Sequence, residues 1–309
     1  MRRVDGLVSQ EYTAGAGSSW QPLRKREAED DPNAYAPCRH AHPDDEAFGT
    51  GGLLAHYAAR GVRVALVCAT RGEAGDIADP SLATPETLGQ VREAELRCAA
   101  LTLGLSDLIL LDYRDSGMAG APANAHPQAL IQADAVEIVT QLVGIIRRLR
   151  PQVVVTFEPN GGYGHPDHIA IHRHAVAAFH AAADPLSCPE QGQPWQAARL
   201  FYTSIARSFF ATMRVHMVTL GMDTTEFDGL MAGGVGWPDE EINTILDVTD
   251  AVDAKWAAFQ CHSTQFGPDQ LFRRLPDDDM KRLLSHEYFA LTWPSPAPGL
   301  HLTDLFADL

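Results

Sequence analysis

"VRVALVCAT", residues 62–70, is an almost unbroken apolar run of strand length. A strand with one wet face alternates apolar and polar residues, whereas an unbroken run suits a strand covered on both faces. Two more runs of the same kind follow, "DLILLDY" at 107–113 and "PQVVVTF" at 151–157. The segments around them have helical spacing. "EAFGTGGLLAHYAARG" (46–61) ends on Gly61, a natural helix terminator. "TPETLGQVREAELRCAALTLG" (84–104) spaces Leu88, Val91, Leu96, Ala99 and Leu103 along one face. "DAVEIVTQLVGIIRRLR" (134–150) places its bases in the last turn, where they favour the helix dipole. "HIAIHRHAVAAFHAAA" (168–183) is a further helix. Buried strands alternating with helices define an α/β fold with a mostly parallel sheet and helices on both faces.

Beyond residue 197 the order loosens. "ARLFYTSI", "INTILDV" and "EYFALTW" read as strands and "DAVDAKWAAFQCH" as a helix, a smaller mixed α/β extension. The expected organisation is a loosely packed or disordered arm over 1–33, then one domain over 34–309. Residues 34–185 form its core and 186–309 its substrate-pocket extension. The arm is assigned from its charged, aperiodic composition and from Pro22 and Pro32.

Composition excludes several partners. The 309 residues carry 40 acids against 24 Lys and Arg, a net charge of −16. Such a surface repels phosphate backbones and anionic lipids, so nucleic acid is not an expected partner. No apolar run approaches the length of a membrane span. The opening "MRRVDGLVSQEY" lacks an apolar segment and does not read as a secretory leader. The five cysteines, Cys38, Cys68, Cys98, Cys188 and Cys261, are scattered and form no CxxC; reduced thiols in a cytoplasmic protein are expected.

In an open parallel sheet, ligands bind beyond the carboxyl ends of the strands. Four polar, glycine-rich loops belong there: "AHPDDE" before the first helix, then "TRGEAGD", "RDSGM" and "EPNGGYGHPDH" after successive strands. Two histidines and a carboxylate can bind a divalent ion and leave positions open for water and substrate. His42 and Asp45, three apart, can face one point, and His168 supplies a third ligand from the distant loop. Asp44 is then left free beside a ligand, placed to take a proton. A dication and a helix N-terminus together make this density of acids tolerable. A lone HxxD carries almost no information; two HPD motifs, each in a strand-to-helix loop, carry much more. Arg71, Glu73 and Asp115 are candidate substrate-binding residues. The plainer alternatives are an Arg71–Glu73 ion pair and a turn-forming Asp115. His56, His172, His174 and His180 read as ordinary core or surface histidines, and Trp237 as packing or pocket lining.

The stretches "AHPDDEAFGTGG", "TRGEAGD", "RDSGM" and "GYGHPDHIAIH" resemble the signatures of the LmbE-like, or PIG-L-type, N-deacetylases. Mycothiol deacetylase, mycothiol-conjugate amidase, the bacillithiol-pathway deacetylase and the GlcNAc-phosphatidylinositol de-N-acetylase belong to that family. The resemblance is strong over residues 40–175 and weaker at "AAFQCHSTQF", which resembles the family's HxTQ region. It implies a Rossmann-like fold and a zinc-dependent hydrolase, with Fe2+ as the alternative ion, acting on the N-acyl glucosamine group of a small molecule. By motif it implies that His42, Asp45 and His168 are metal ligands and Asp44 the general base. It further implies that His165 stabilises the oxyanion, that Asp167 orients and tunes His165, that Arg71 binds substrate, and that Tyr163 is a mobile tyrosine at the carbonyl.

The expected reaction is removal of an N-acetyl, or another N-acyl, group. An amidase acting on a larger thiol-conjugate acyl group differs from it only in pocket size, set by loops near 114–130 and 222–240. An inactive metal- or sugar-binding module and an iron oxygenase are weighed as well. The intact Asp44 argues against the module, and the second HPD motif against the oxygenase. Oligomeric state is left open, a homo-oligomer included. One departure stands out. The stretch before the first motif, "DPNAYAPCRH", contains Pro37 where a central strand is required. Either that strand is short and poor or the first forty residues are not native.

Overall fold

A computed structural model of the chain describes residues 21–22, 35–267, 270 and 273–309. The strands, in chain order, are β1 (Gln21–Pro22), β2 (Tyr35–His40), β3 (Arg63–Thr70), β4 (Asp107–Tyr113), β5 (Val153–Phe157), β6 (Arg199–Ser204), β7 (Thr244–Asp247) and β8 (His286–Trp293). The helices are α1 (Gly51–Ala59), α2 (Leu88–Thr102), α3 (Ala135–Leu149), the short turn α4 (Gly161–Gly164), α5 (Pro166–Ala183), α6 (Arg207–Thr219), α7 (Thr225–Ala232), α8 (Val252–Cys261) and α9 (Asp277–Leu283). Among the described residues, one sheet runs in the order β1-β4-β3-β2-β5-β6-β8-β7. Strands β4, β3, β2, β5 and β6 are mutually parallel; β1, β8 and β7 are antiparallel to their neighbours. The fold is α/β and Rossmann-like, and β6, β8 and β7 carry the same sheet into the C-terminal part of the chain.

The apolar runs are buried on both faces, as their composition requires. Val64, Leu66, Cys68, Leu108 and Leu110 enter one core with Leu53 and Leu54 of α1, Leu96 and Ala99 of α2, and Trp256 and Phe259 of α8. The alternate residues Val67, Ala69, Ile109 and Leu111 enter the opposite core with Leu142 and Ile146 of α3 and Ile171 of α5. Close approach explains one glycine of the "GTGG" turn. A Cβ on Gly52 would lie 2.4 Å from a Val248 methyl carbon. The amides of Gly52 and Leu53, in the first turn of α1, donate to the buried carboxylate of Glu287 at 2.7 and 2.8 Å.

The strand carrying Pro37 does form, and it is central. β2 pairs with β3 over six positions, including Pro37 opposite Ala65, but meets β5 at the single pair Cys38–Val155. The parallel order therefore turns at β2: β3 and β4 lie to one side, β5 and β6 to the other. Of the arm, Gln21–Pro22 pairs with Asp107–Leu108 of β4; the rest of residues 1–33 lies outside the described residues. One expectation is corrected. Cys98 on α2 and Cys261 on α8 are joined as a disulfide, their Cα atoms 5.9 Å apart, because the two helices pack side by side. Cys68 and Cys188 are free. Among the described residues, no helix is long and apolar enough to cross a membrane.

Candidate metal centre and active site

The loops after β2, β3, β4 and β5 meet at the carboxyl edge of the sheet, around the turning point at β2. The first ligand group is shaped by its own backbone. Asp45 Oδ2 accepts the amides of Ala41 and His42 at 3.1 and 2.8 Å. This turns the carboxylate inward, with Oδ1 3.3 Å from His168 Nε2. His168 sits in the first turn of α5, its ring stacked on Phe157 at 4.1 Å between centroids. Its Nδ1 lies 3.1 Å from the Gly161 carbonyl. A carbonyl only accepts, so Nδ1 carries the proton and Nε2 presents a lone pair. His42 is placed the other way round. Its Nε2 faces the carboxylates of Asp167 and Asp115 at 3.2 and 3.3 Å, so that nitrogen donates. Its Nδ1 then points at His168 Nε2, 3.2 Å away, with Asp45 Oδ2 at 3.7 Å.

Three atoms of metal-ligand type thus converge; without an ion a proton on His42 Nδ1 bridges to His168 Nε2, and a metal ion would take that proton's place. Zinc bonds of about 2.0–2.2 Å in a tetrahedron separate their donors by roughly 3.3–3.6 Å, close to the 3.2, 3.3 and 3.7 Å found here, so the set fits a small dication. One ring nitrogen from each of His42, His165 and His168 lies within 4.8 Å of the other two, and His42, Asp115, His165 and Asp167 form an overlapping group. Protonation responds to the same crowding. Burial works against a charged His42, but Asp115, Asp167 and Asp45 outweigh it and hold its pKa well above the usual value. Burial likewise opposes ionised Asp45, yet His168 and His42 carry its carboxyl well below the usual range.

Asp44 adopts φ +109°, rare for a residue with a side chain; such conformations store about 1–3 kcal/mol. Its amide donates to Glu46 Oε2 at 3.0 Å, and its Oδ2 accepts from Arg92 Nη2 at 3.0 Å. Burial raises the Asp44 pKa, Arg92 opposes the rise, and Asp45 adds to it, leaving it near 6. In the second motif His165 caps α5, its Nδ1 accepting the Asp167 amide at 3.2 Å, with Pro166 in the first turn. That bond leaves the proton on Nε2. Burial, then the charges of His42 and His168, bring the His165 pKa down to about 4, so the ring is a neutral donor near pH 7. Asp167 is fully buried and its Oδ2 accepts the Ser116 amide at 2.9 Å. Tyr163 is exposed, its ring 5.2 Å from that of His168 and 6.1 Å from that of His165.

The substrate-binding candidates divide. Asp115 lies in the centre, but its oxygens also accept the Gly117 and Ala74 amides at 2.8 and 3.1 Å. Burial opposes its charge, yet the His42 hydrogen bond holds its carboxyl below the usual range. Glu73 accepts the Asp115 amide at 3.0 Å. The two acids therefore tie the loops after β3 and β4 together. Arg71 pairs with Glu93 at 2.5 Å and with Asp112 at 2.7 Å, not with Glu73. The arginine that reaches the centre is Arg92, which is buried and bonds the Gly72 and Pro43 carbonyls as well as Asp44. A Cβ on Gly72 would lie 2.0 Å from Arg92 Nη1, so "TRGE" needs its glycine. Beyond Tyr163 a cavity of about 660 Å3 is lined by Glu158, Arg207, Trp237 and Glu241 among others.

A parallel sheet with two histidines and a carboxylate converging at its turning point could hold a metal ion, and comparison with known proteins shows the family to which this arrangement belongs. Residues 39–179 match the family of GlcNAc-PI de-N-acetylases, PIG-L. The chain is 39% identical over 268 residues to a 1D-myo-inositol 2-acetamido-2-deoxy-alpha-D-glucopyranoside deacetylase of Thermobispora bispora, covering 84% of this chain and 88% of that one. It is 41% identical over 284 residues to the protein of the same name in Acidothermus cellulolyticus, covering 87% and 93%. The chain belongs to the PIG-L family. Its fold matches that of N,N'-diacetylchitobiose deacetylase from Pyrococcus horikoshii, with a TM-score of 0.60, 22% identity and 90% of each chain covered.

Proposed function

We propose that the chain is a metal-dependent hydrolase that removes the N-acetyl group from a small glucosamine-containing compound, with zinc as the ion and Fe2+ as the alternative. The observation that carries this reading is the convergence of His42 Nδ1 and His168 Nε2, 3.2 Å apart, beside the Asp45 carboxylate. Relatives named for deacetylating a glucosaminyl inositol support it. His42, Asp45 and His168 would hold the ion. When bound, it supplies Lewis acidity, lowering the pKa of water toward about 7 and polarising the acyl oxygen. Asp44 accepts the proton of the attacking water and passes it to the departing amine. His165 Nε2–H and the Tyr163 hydroxyl donate to the oxyanion as it develops. Asp167 and Asp115 accept from His42 Nε2 and so turn its Nδ1 toward the ion site. The products are acetate and a free amino sugar.

A second reading, cleavage of a larger N-acyl amide, is favoured by the cavity beyond Tyr163, which has room for more than acetyl. Amine release from N-acetylglucosaminyl inositol, compared with an N-acyl cysteinyl analogue and measured with zinc and with iron, tests both. Release from neither compound with either ion would contradict the proposal. The cytoplasmic setting read from composition also stands as a proposal, with the Cys98–Cys261 disulfide set against it.

A further inference from the structure

Asp44 holds a backbone conformation that a residue with a side chain does not adopt unaided, so something must hold it there. Its amide donates to Glu46 Oε2 at 3.0 Å. The other oxygen, Glu46 Oε1, meets His262 Nε2 at 2.6 Å, and neither side chain is exposed to solvent. Glu46 opens a π-helical turn (Glu46–Thr50), an arrangement often found at functional sites. His262 lies far from it in sequence, just past the end of α8. The chain on both sides of His262 is pinned to α2. Cys261 is joined to Cys98, and Thr264 donates its amide and hydroxyl to Glu95 at 2.8 and 2.6 Å. The same helix α2 supplies Arg92 to the Asp44 carboxylate. One face of α2 therefore holds the Asp44 side chain directly and, through the segment 261–264, the Asp44 backbone.

We infer that His262 is a positioning residue: it fixes Glu46, and Glu46 fixes Asp44 in the conformation from which it accepts a proton. His262 touches none of the three ligands proposed for the metal. The inference rests on the proposed role of Asp44 as base.

The ring nitrogen involved makes the test specific. A glutamine amide nitrogen reaches the place of histidine Nε2 and can donate to Glu46; an asparagine amide nitrogen reaches only the place of Nδ1. With N-acetylglucosaminyl inositol as substrate, His262→Gln retains most of kcat. His262→Asn lowers kcat by about 10–100-fold, the scale seen when a residue supporting a site residue is lost. KM and metal content stay unchanged in both, since an interaction that matters only in the transition state is lost. A crystal structure of His262→Asn shows residue 44 away from positive φ. Equal kcat in the two variants, or a loss that falls on KM or on metal content, overturns the inference. If the asparagine variant does not fold, Thr264→Val, which keeps the volume and removes one bond to Glu95, carries the test. It lowers kcat at constant KM, and an unchanged kcat overturns the inference. Asp44→Asn measured alongside separates the two claims: full kcat there removes the base assignment itself.

Discussion

His42-Pro43-Asp44 and His165-Pro166-Asp167 are the same three residues, each in a strand-to-helix loop, yet the structure uses them differently. In the first, the histidine offers its Nδ1 to the centre and the aspartate stands at φ +109° beside Arg92. In the second, the histidine spends its Nδ1 capping α5 and the aspartate is fully buried, accepting from Ser116 and His42. The difference lies in the backbone. The second motif enters a regular helix at once, whereas the first passes through a strained turn and a π-helical turn before α1 begins. The residue after each motif, Asp45 or His168, completes the proposed ligand set. A tripeptide therefore does not define a role; the hydrogen bonds its backbone makes decide it.

Substituting equivalent positions is the sharpest way to break this comparison. His42→Ala removes a proposed ligand and should lose most of the bound metal, with activity falling at least a thousandfold in consequence; His165→Ala should keep the metal. Elemental analysis of both proteins decides, and equal metal content would abolish the distinction. Asp44→Asn should lower kcat by about 10²–10⁴, the scale of general base catalysis, at near-constant metal content. His165→Ala should lower kcat by about 10²–10³, the scale for losing an oxyanion donor. The smallest effect concerns pH. A base works only when deprotonated, so kcat/KM should fall as pH drops through the Asp44 pKa, at or below about 6. Arg92 holds that pKa down, so Arg92→Met should move the acid limb upward by about one unit, the lower end for a nearby opposite charge. A limb that stays in place would show that Arg92 does not act on Asp44.

The core of the fold was legible because its strands are buried on both faces. "DLILLDY" coincides with β4, and "VRVALVCAT" differs from β3 by one residue. The helices α6, α7 and α9 are not legible in the sequence. They lie where the sheet turns antiparallel and no strand–helix alternation guides the eye. Of the candidate site, the motif residues were legible and their supports were not. Arg92 lies four residues from both Leu88 and Leu96, on the face that packs inward, so a charge there was the available signal. Arg71, three residues ahead of Ala74 in a conspicuous loop, drew the substrate role by motif, but it makes its ion pairs with Glu93 and Asp112. Glu46 with His262, and Cys98 with Cys261, are separated by 216 and 163 residues, and no spacing rule links such positions.

Asp44 and Asp45 are adjacent and chemically identical, yet one is assigned proton transfer and the other the ion. Titrating zinc into Asp44→Asn and Asp45→Asn in the same buffer, with metal occupancy and kcat followed together, tests that division most directly. The account predicts that Asp45→Asn binds zinc weakly and regains activity as zinc is raised, while Asp44→Asn is saturated from the start and stays slow at every concentration. Rescue of Asp44→Asn by zinc, or full activity in both variants, would contradict it.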